Sequence, residues 1–172
     1  MSTPTLLIVE DERIIALDLR RRVEKFGYEV CDVVSTADDA VAAAETHRPD
    51  IVLMDIMLNG DRDGTDAAVE LKDRFSIPVV FLTAYADEQT LKRAKRAEPV
   101  GYVLKPFKER ELYTTIEIAL YKSRVDKELL RQERLFNAIL NSIGEALIST
   151  DAQGRITFIN PVAERLTGCD DD

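Results

Sequence analysis

Long hydrophobic runs are missing from the chain. No apolar stretch approaches the roughly 18 residues that a membrane-spanning helix needs. The N-terminus, Met1-Ser2-Thr3-Pro4, lacks the basic flank and apolar core of a secretory signal. Cysteine is scarce: Cys31 and Cys169 lie far apart and without metal-ligand spacing. A thiolate metal site and a disulfide framework are therefore not expected, and the pair reads as reduced thiols of a cytoplasmic protein. Positive charge is in deficit, with 23 Lys and Arg against 32 Asp and Glu, a formal net charge of -9. Nonspecific binding to nucleic acid or to an anionic membrane uses basic surface, so neither is an expected partner. Nothing after residue 122 forms a basic recognition helix. The one histidine, His47, precedes Arg48-Pro49 and reads as a surface residue near a helix C-terminus.

What remains is a composition with a real core, 45% hydrophobic and 32% charged over 172 residues. Short apolar runs alternate with amphipathic stretches up to about residue 122. Strands are expected at Thr5–Val9, Tyr28–Val34, Ile51–Asp55, Pro78–Thr83 and Tyr102–Leu104. Helices are expected over Glu12–Phe26, from a Thr36 cap to before Pro49, over Thr65–Arg74, over Asp87–Ala97 and from Lys108 onward. Strands alternating with helices predict an α/β fold with a five-stranded parallel sheet, doubly wound. Nearly continuous apolar strands agree, because a parallel sheet is covered on both faces.

Four of these strands end in polar groups: Glu10-Asp11, Asp55, Thr83 and Lys105. The carboxyl ends of parallel strands form the binding crevice of such a sheet. Three carboxylates, a hydroxyl and an ammonium can therefore converge there.

Beyond Leu120 the pattern changes. Residues 121–140 contain no Gly or Pro, and apolar side chains recur at Ile118, Tyr121, Val125, Leu129, Phe136 and Leu140. This predicts a long helix able to pair with a second copy of the chain. A single exposed helical linker is the alternative, because Gln132 interrupts the seam. From Ser142 onward, Ala146–Thr150 and Arg155–Ile159 read as two strands around an Asp151–Gly154 turn, followed by a short helix opened by Asn160-Pro161. A lone hairpin is marginal, so this region reads as the start of a further domain. The expected partition is 1–122, a helical linker over 123–141, and 142–172.

Glu10-Asp11, Asp55, Thr83-Ala84 and Lys105-Pro106, in this order at these strand ends, resemble the receiver domain of two-component response regulators, a flavodoxin-like fold. The resemblance implies that Asp55 is the phosphoacceptor, taking a phosphoryl group from the phosphohistidine of a sensor histidine kinase or phosphotransfer protein. It implies that Glu10, Asp11, Asp55 and the backbone carbonyl of Met57 hold Mg2+. Such hard oxygen donors suit that ion. Lys105 and Thr83 are implied to contact the phosphoryl oxygens, and a cis Lys105-Pro106 bond is implied as well. Tyr102 is implied as a switch aromatic coupled to Thr83, altering the face made by the 87–97 helix, the fifth strand and the final helix. An ordinary half-buried strand tyrosine is the alternative.

Two departures stand out. The loop after Asp55 has no proline, and its glycine, Gly64, comes one residue later than the family pattern. Asp61 and Asp63 lack the later Glu of a calcium loop and read as a solvated turn. The resemblance implies that the residues two after Asp55 and Thr83, here Met57 and Tyr85, tune hydrolysis of an aspartyl phosphate, and two bulky, weakly polar groups are expected to slow it. Residues 136–140, 146–151, Gly154, Ile156 and 160–163 resemble the opening of a PAS sensor domain. Together these resemblances imply a phosphorelay receiver that signals through the long helix to a PAS or output module, a receiver–PAS histidine kinase being the first expectation. His47 does not have the setting of a phosphotransfer histidine. A metal-dependent phosphohydrolase with Asp55 as nucleophile is the competing reading. Haloacid-dehalogenase-like enzymes carry a second Asp two positions on, where this chain has Met57.

Overall fold

The computed structural model describes residues 3–60, 62–84 and 94–168. Its elements are β1 (Thr5–Val9), α1 (Arg13–Lys25), β2 (Glu29–Val34), α2 (Ala37–His47), β3 (Ile51–Asp55), α3 (Gly64–Phe75), β4 (Val79–Thr83), β5 (Gly101–Leu104), α4 (Glu109–Ser142), β6 (Ile148–Thr150), β7 (Ile156–Ile159) and α5 (Pro161–Thr167). The helix expected over 87–97 falls mostly outside the described residues; Ala94–Arg96 are helical. Tyr85, Asp61 and Cys169 also lie outside them.

The first five strands form one parallel sheet in the order β2-β1-β3-β4-β5. This is the doubly wound five-stranded arrangement the sequence predicts. Successive side chains of a strand point to opposite faces, and each face finds a helical cover. Leu7, Val9, Val52, Met54, Val79 and Phe81 pack on one face with the Ala40, Ala44, Ala67, Ala68 and Leu71 side chains of α2 and α3. Leu6, Ile8, Ile51, Leu53, Val80 and Leu82 pack on the other with Leu19 and Val23 of α1 and Leu112, Ile116 and Ala119 of α4. Alanines on α2 and α3 let those helices approach closely.

Local chemistry sets the helix ends. Thr36 accepts a hydrogen bond from the Asp39 N–H at 3.1 Å and caps α2. Asp63 caps α3 by accepting from Thr65 N–H and Asp66 N–H. The expected solvated turn at Asp63 is thus a helix cap, because an Asp directly before the first helical turn satisfies otherwise orphaned N–H groups. Gly27, with φ of 90°, follows α1 in the left-handed region that glycine tolerates.

Contacts divide the chain into two units, Met1–Arg124 and Val125–Asp172. In the second, β6 and β7 pair antiparallel, and Asp151 accepts backbone N–H bonds from Gln153 and Arg155 in the connecting turn. Asn160 is fully buried. Its Oδ1 accepts from Leu147 N–H and Ala163 N–H, each at 3.0 Å, and its amide donates to the Glu145 carbonyl at 2.9 Å. One side chain thus ties the entry of the hairpin to the first turn of α5.

Candidate functional site

β1 and β3 are neighbours, and β4 and β5 follow beside β3, so the carboxyl ends of four strands open on one edge. Glu10 and Asp11 leave β1, Asp55 ends β3, Thr83 ends β4, and Lys105 directly follows β5. The Lys105 N–H donates to the Thr83 carbonyl at 2.7 Å, and the Lys105-Pro106 peptide is cis. Together these fix where the lysine side chain departs.

Lys105 Nζ lies 2.6 Å from Asp55 Oδ2 and 2.6 Å from Glu10 Oε2. All three side chains are largely or wholly buried. Asp55 Oδ1 accepts the Met57 N–H at 3.0 Å. Glu10 Oε1 accepts the Glu12 N–H at 3.4 Å, whereas Oε2 is buried without a directed hydrogen bond and meets Lys105 as an ion pair. Burial pushes the Glu10 carboxyl above its ordinary pKa and the Asp55 charge adds to this, against the opposing pull of Lys105. Burial alone would lower the Lys105 ammonium. Its bonds to Asp55 and Glu10 outweigh that and hold it above its ordinary value.

Glu10, Asp11 and Asp55 each offer a carboxylate oxygen within 4.8 Å of the others. With only hard oxygens in the set, and three carboxylates gathered against a single ammonium, these residues fit a small divalent cation such as Mg2+. A cavity of about 290 Å³ opens beside them, lined by Asp11, Glu12, Asp55, Met57, Asn59, Thr83, Ala84 and Lys105. Thr83 is buried at its base and Ala84 is exposed at its rim. Met57 is exposed.

Tyr102 sits in register with Phe81, and their ring centroids are 5.9 Å apart. Its hydroxyl is buried with no hydrogen-bond partner among the described residues, and burial raises its pKa. His47 lies apart from this site, half-exposed, with Nε2 3.9 Å from Asp32 Oδ2.

Two contributors escaped the sequence reading. Gly64 donates its N–H to the Ile56 carbonyl at 3.0 Å, and a Cβ there would sit 1.9 Å from the Asp55 carbonyl oxygen. The glycine is required because two backbones touch. Its place after a nine-residue span from Asp55 was the available signal. Asn59 donates from both its backbone N–H and its side-chain amide to Asp11 Oδ2. No periodicity or spacing marks that residue.

A family model described as the response regulator receiver domain matches residues 6–117, and one for the PAS fold matches 134–172. The transcriptional regulatory protein PdtaR of Mycobacterium tuberculosis is 38% identical over 119 residues, covering 69% of this chain and 58% of that protein. The chain therefore spans less than two thirds of that relative's length. The signal receiver domain of a modulated diguanylate cyclase from Desulfovibrio desulfuricans G20 superposes with a TM-score of 0.70 at 41% identity, over 73% of this chain and 99% of that one. The N-terminal domain of a response regulator/sensory box/GGDEF three-domain protein from Carboxydothermus hydrogenoformans gives a TM-score of 0.66 at 32% identity, over 71% and 98%. With its strand-end acids, hydroxyl and ammonium gathered at one sheet edge, and with this family model matching over most of its length, the chain belongs to the response regulator receiver family.

Proposed function

We propose that Asp55 is the phosphoacceptor of a phosphorelay, taking the phosphoryl group of a phosphohistidine on a sensor histidine kinase or phosphotransfer protein. One Asp55 oxygen attacks phosphorus as the phosphorus–nitrogen bond breaks. The electron pair returns to the imidazole, and the product is an aspartyl phosphate and a neutral histidine. The observation that carries this reading is that Asp55 meets the Lys105 ammonium and lies close to two further acids, with Asp55, Asp11 and Lys105 lining an open cavity.

Glu10 through water, Asp11, Asp55 and the Met57 carbonyl would hold Mg2+, which when bound neutralises charge on the phosphoryl oxygens. Lys105 supplies a fixed positive charge to the same oxygens. Its two anionic partners keep it protonated. Thr83 donates its hydroxyl to another phosphoryl oxygen, and Ala84 leaves room for the group. Drawing Thr83 toward the phosphate changes the space around Tyr102, the switch residue. The face made by β5, the opening turns of α4 and the 87–97 segment, most of which lies outside the described residues, then changes with it.

α4 carries exposed apolar residues at Ile118, Tyr121, Val125, Leu129 and Phe136. These residues support pairing with a second copy of the chain, through which the receiver signals to a PAS or output module in the cytoplasm. A histidine kinase is the first candidate output. A diguanylate cyclase is the second, and the similarity to the Carboxydothermus response regulator/sensory box/GGDEF protein supports it. No helix of the described residues is long and apolar enough to cross a membrane. The phosphohydrolase alternative has no second carboxylate at Met57 to act as acid or base.

The deciding experiment is intact-mass analysis after treatment with acetyl phosphate and Mg2+. A gain of one phosphoryl group that disappears in Asp55→Asn is expected. Steady turnover of an aryl phosphate that depends on Asp55, with no accumulating adduct, would instead establish the phosphohydrolase.

A further inference from the structure

The loop between β3 and α3 is one residue longer than the family pattern and lacks its proline, yet it is fastened along its length. At its start, the Met57 N–H donates to Asp55 Oδ1. Toward its end, Arg62 reaches Asp38 of α2 and Glu70 of α3, both at 2.8 Å. Asp63 then caps α3. Between these anchors Asn59 crosses to the other acid-bearing strand end. Its backbone N–H lies 3.3 Å from Asp11 Oδ2, and its side-chain amide donates to the same oxygen.

Asp11 needs such help. Glu10 and Asp55 are held by burial and by Lys105, whereas Asp11 is only partly buried, and the ion pairs of Lys105 go to the other two acids. Two donors converging on one carboxylate oxygen fix the side-chain rotamer. No donor is found on Oδ1 among the described residues, which leaves that oxygen available as a ligand. Neutral amides do not cancel the carboxylate charge, so they orient Asp11 without competing with a cation for its charge. Outer-shell hydrogen bonds of this kind typically contribute about 10- to 100-fold to metal affinity.

We infer that Asn59 is a positioning residue for the divalent cation: it holds Asp11 in ligating orientation from a loop tied to α2 and α3 by Arg62. This rests on the reading of Glu10, Asp11 and Asp55 as a cation site.

The test is calorimetric titration of Mg2+ into the full chain, unaltered and as Asn59→Leu and Asn59→Ala, with thermal midpoints in chelator alongside. Leu keeps the branched outline and heavy-atom count of the side chain and removes its amide donor, leaving the backbone N–H in place. The expected result is Mg2+ affinity weaker by about 10-fold in both variants, with metal-free midpoints unchanged and Asp55 phosphorylation recovered at saturating Mg2+. Unchanged or tighter Mg2+ binding in Asn59→Leu overturns the inference, tighter binding meaning that the amide competes with the cation. A weakened affinity accompanied by a collapsed metal-free midpoint in both variants also overturns it, because loss of loop packing would then be sufficient. Absence of Mg2+ binding by the unaltered chain overturns this inference together with the cation-site reading. The Asp55 mass shift separates that outcome from failure of the Asn59 role alone.

Discussion

Lys105 Nζ stands 2.6 Å from Asp55 Oδ2 and 2.6 Å from Glu10 Oε2, so one ammonium faces two carboxylates that the fold has taken out of water. Neither carboxylate has another charged partner of positive sign among the described contacts at this edge. The amine thus has two duties: it offsets repulsion within the resting site, and it is already in place for an anionic group arriving at Asp55.

Lys105→Ala removes that compensation. Breaking a buried pair by deleting one partner costs about 3–5 kcal/mol, because the remaining charge stays buried. Urea unfolding in chelator should show destabilisation at the lower end of that range. Added Mg2+ should return part of it, since a cation can replace the lost charge. Phosphorylation of Asp55 by acetyl phosphate should slow by roughly 100-fold or more, the usual loss when one fixed stabilising group is taken from a transition state. Retention of the unaltered rate at saturating Mg2+ would remove Lys105 from the chemistry.

Gly64→Ala tests a purely steric requirement. The backbone of Gly64 is not left-handed, but an added Cβ would lie 1.9 Å from the Asp55 carbonyl oxygen and 3.0 Å from Met54 Cγ. Main chain must move, and overpacking of this kind costs about 1–3 kcal/mol. Because the atom displaced belongs to Asp55, the yield of aspartyl phosphate should fall along with the urea midpoint. Gly60 is the control: its φ of 135° strains any side chain, but the space around it is open. Gly60→Ala should lower stability modestly and leave the yield intact.

The sheet and its acid-bearing edge were legible because the signals are local and redundant. Leu6–Val9, Ile51–Met54 and Val79–Leu82 are apolar at every position, as strands covered on both faces must be, and the polar residue ending each run marks the edge. The order of the strands brings Lys105 to the acid-bearing edge, whereas its ion pairs with Asp55 and Glu10 depend on how the side chains pack there. Asn59 and Arg62 were not legible, because their partners, Asp11, Asp38 and Glu70, come from separate elements. Only the packed arrangement of α2, α3 and the loop brings these groups together. Asp63 was misread for a related reason: an acidic residue in a Gly-bounded loop looks solvated until the helix start is known to be its neighbour.

In the second unit, Asn160→Ala should be severe for a single side chain. It removes the cap of α5, worth about 1 kcal/mol, and takes the partner from the partly buried Leu147 N–H and from the Glu145 carbonyl, at about 1 kcal/mol each. Asn160→Asp keeps the two accepted bonds and loses the amide donor, so its effect should be smaller. Hydrogen exchange read at the Leu147 and Ala163 amides should accelerate in both variants, more strongly with Ala.

The exposed residues on α4 predict an association that charge can abolish. Leu129 and Phe136 are 62% and 61% exposed, an unusual state for large apolar side chains on a long helix. Leu129→Glu with Phe136→Glu should convert a dimer to a monomer in light scattering while acetyl phosphate still modifies Asp55. A monomeric unaltered chain at high micromolar concentration would leave α4 as an exposed linker.

Tyr102→Phe gives the sharpest expectation about switching. The hydroxyl is buried beside Phe81 without a partner among the described residues, and a buried polar group left unsatisfied costs about 1–3 kcal/mol. Removing that oxygen should therefore stabilise the protein, by about 1 kcal/mol in urea unfolding. A tyrosine that destabilises its own resting place is understandable if the ring exchanges with an orientation in which the hydroxyl is solvated. The phenylalanine should then favour the buried orientation and blunt any phosphorylation-dependent change in association, while leaving the Asp55 adduct at its normal yield. A destabilised Tyr102→Phe would show that the hydroxyl has a partner after all, and the bistable element would have to be sought elsewhere on β5.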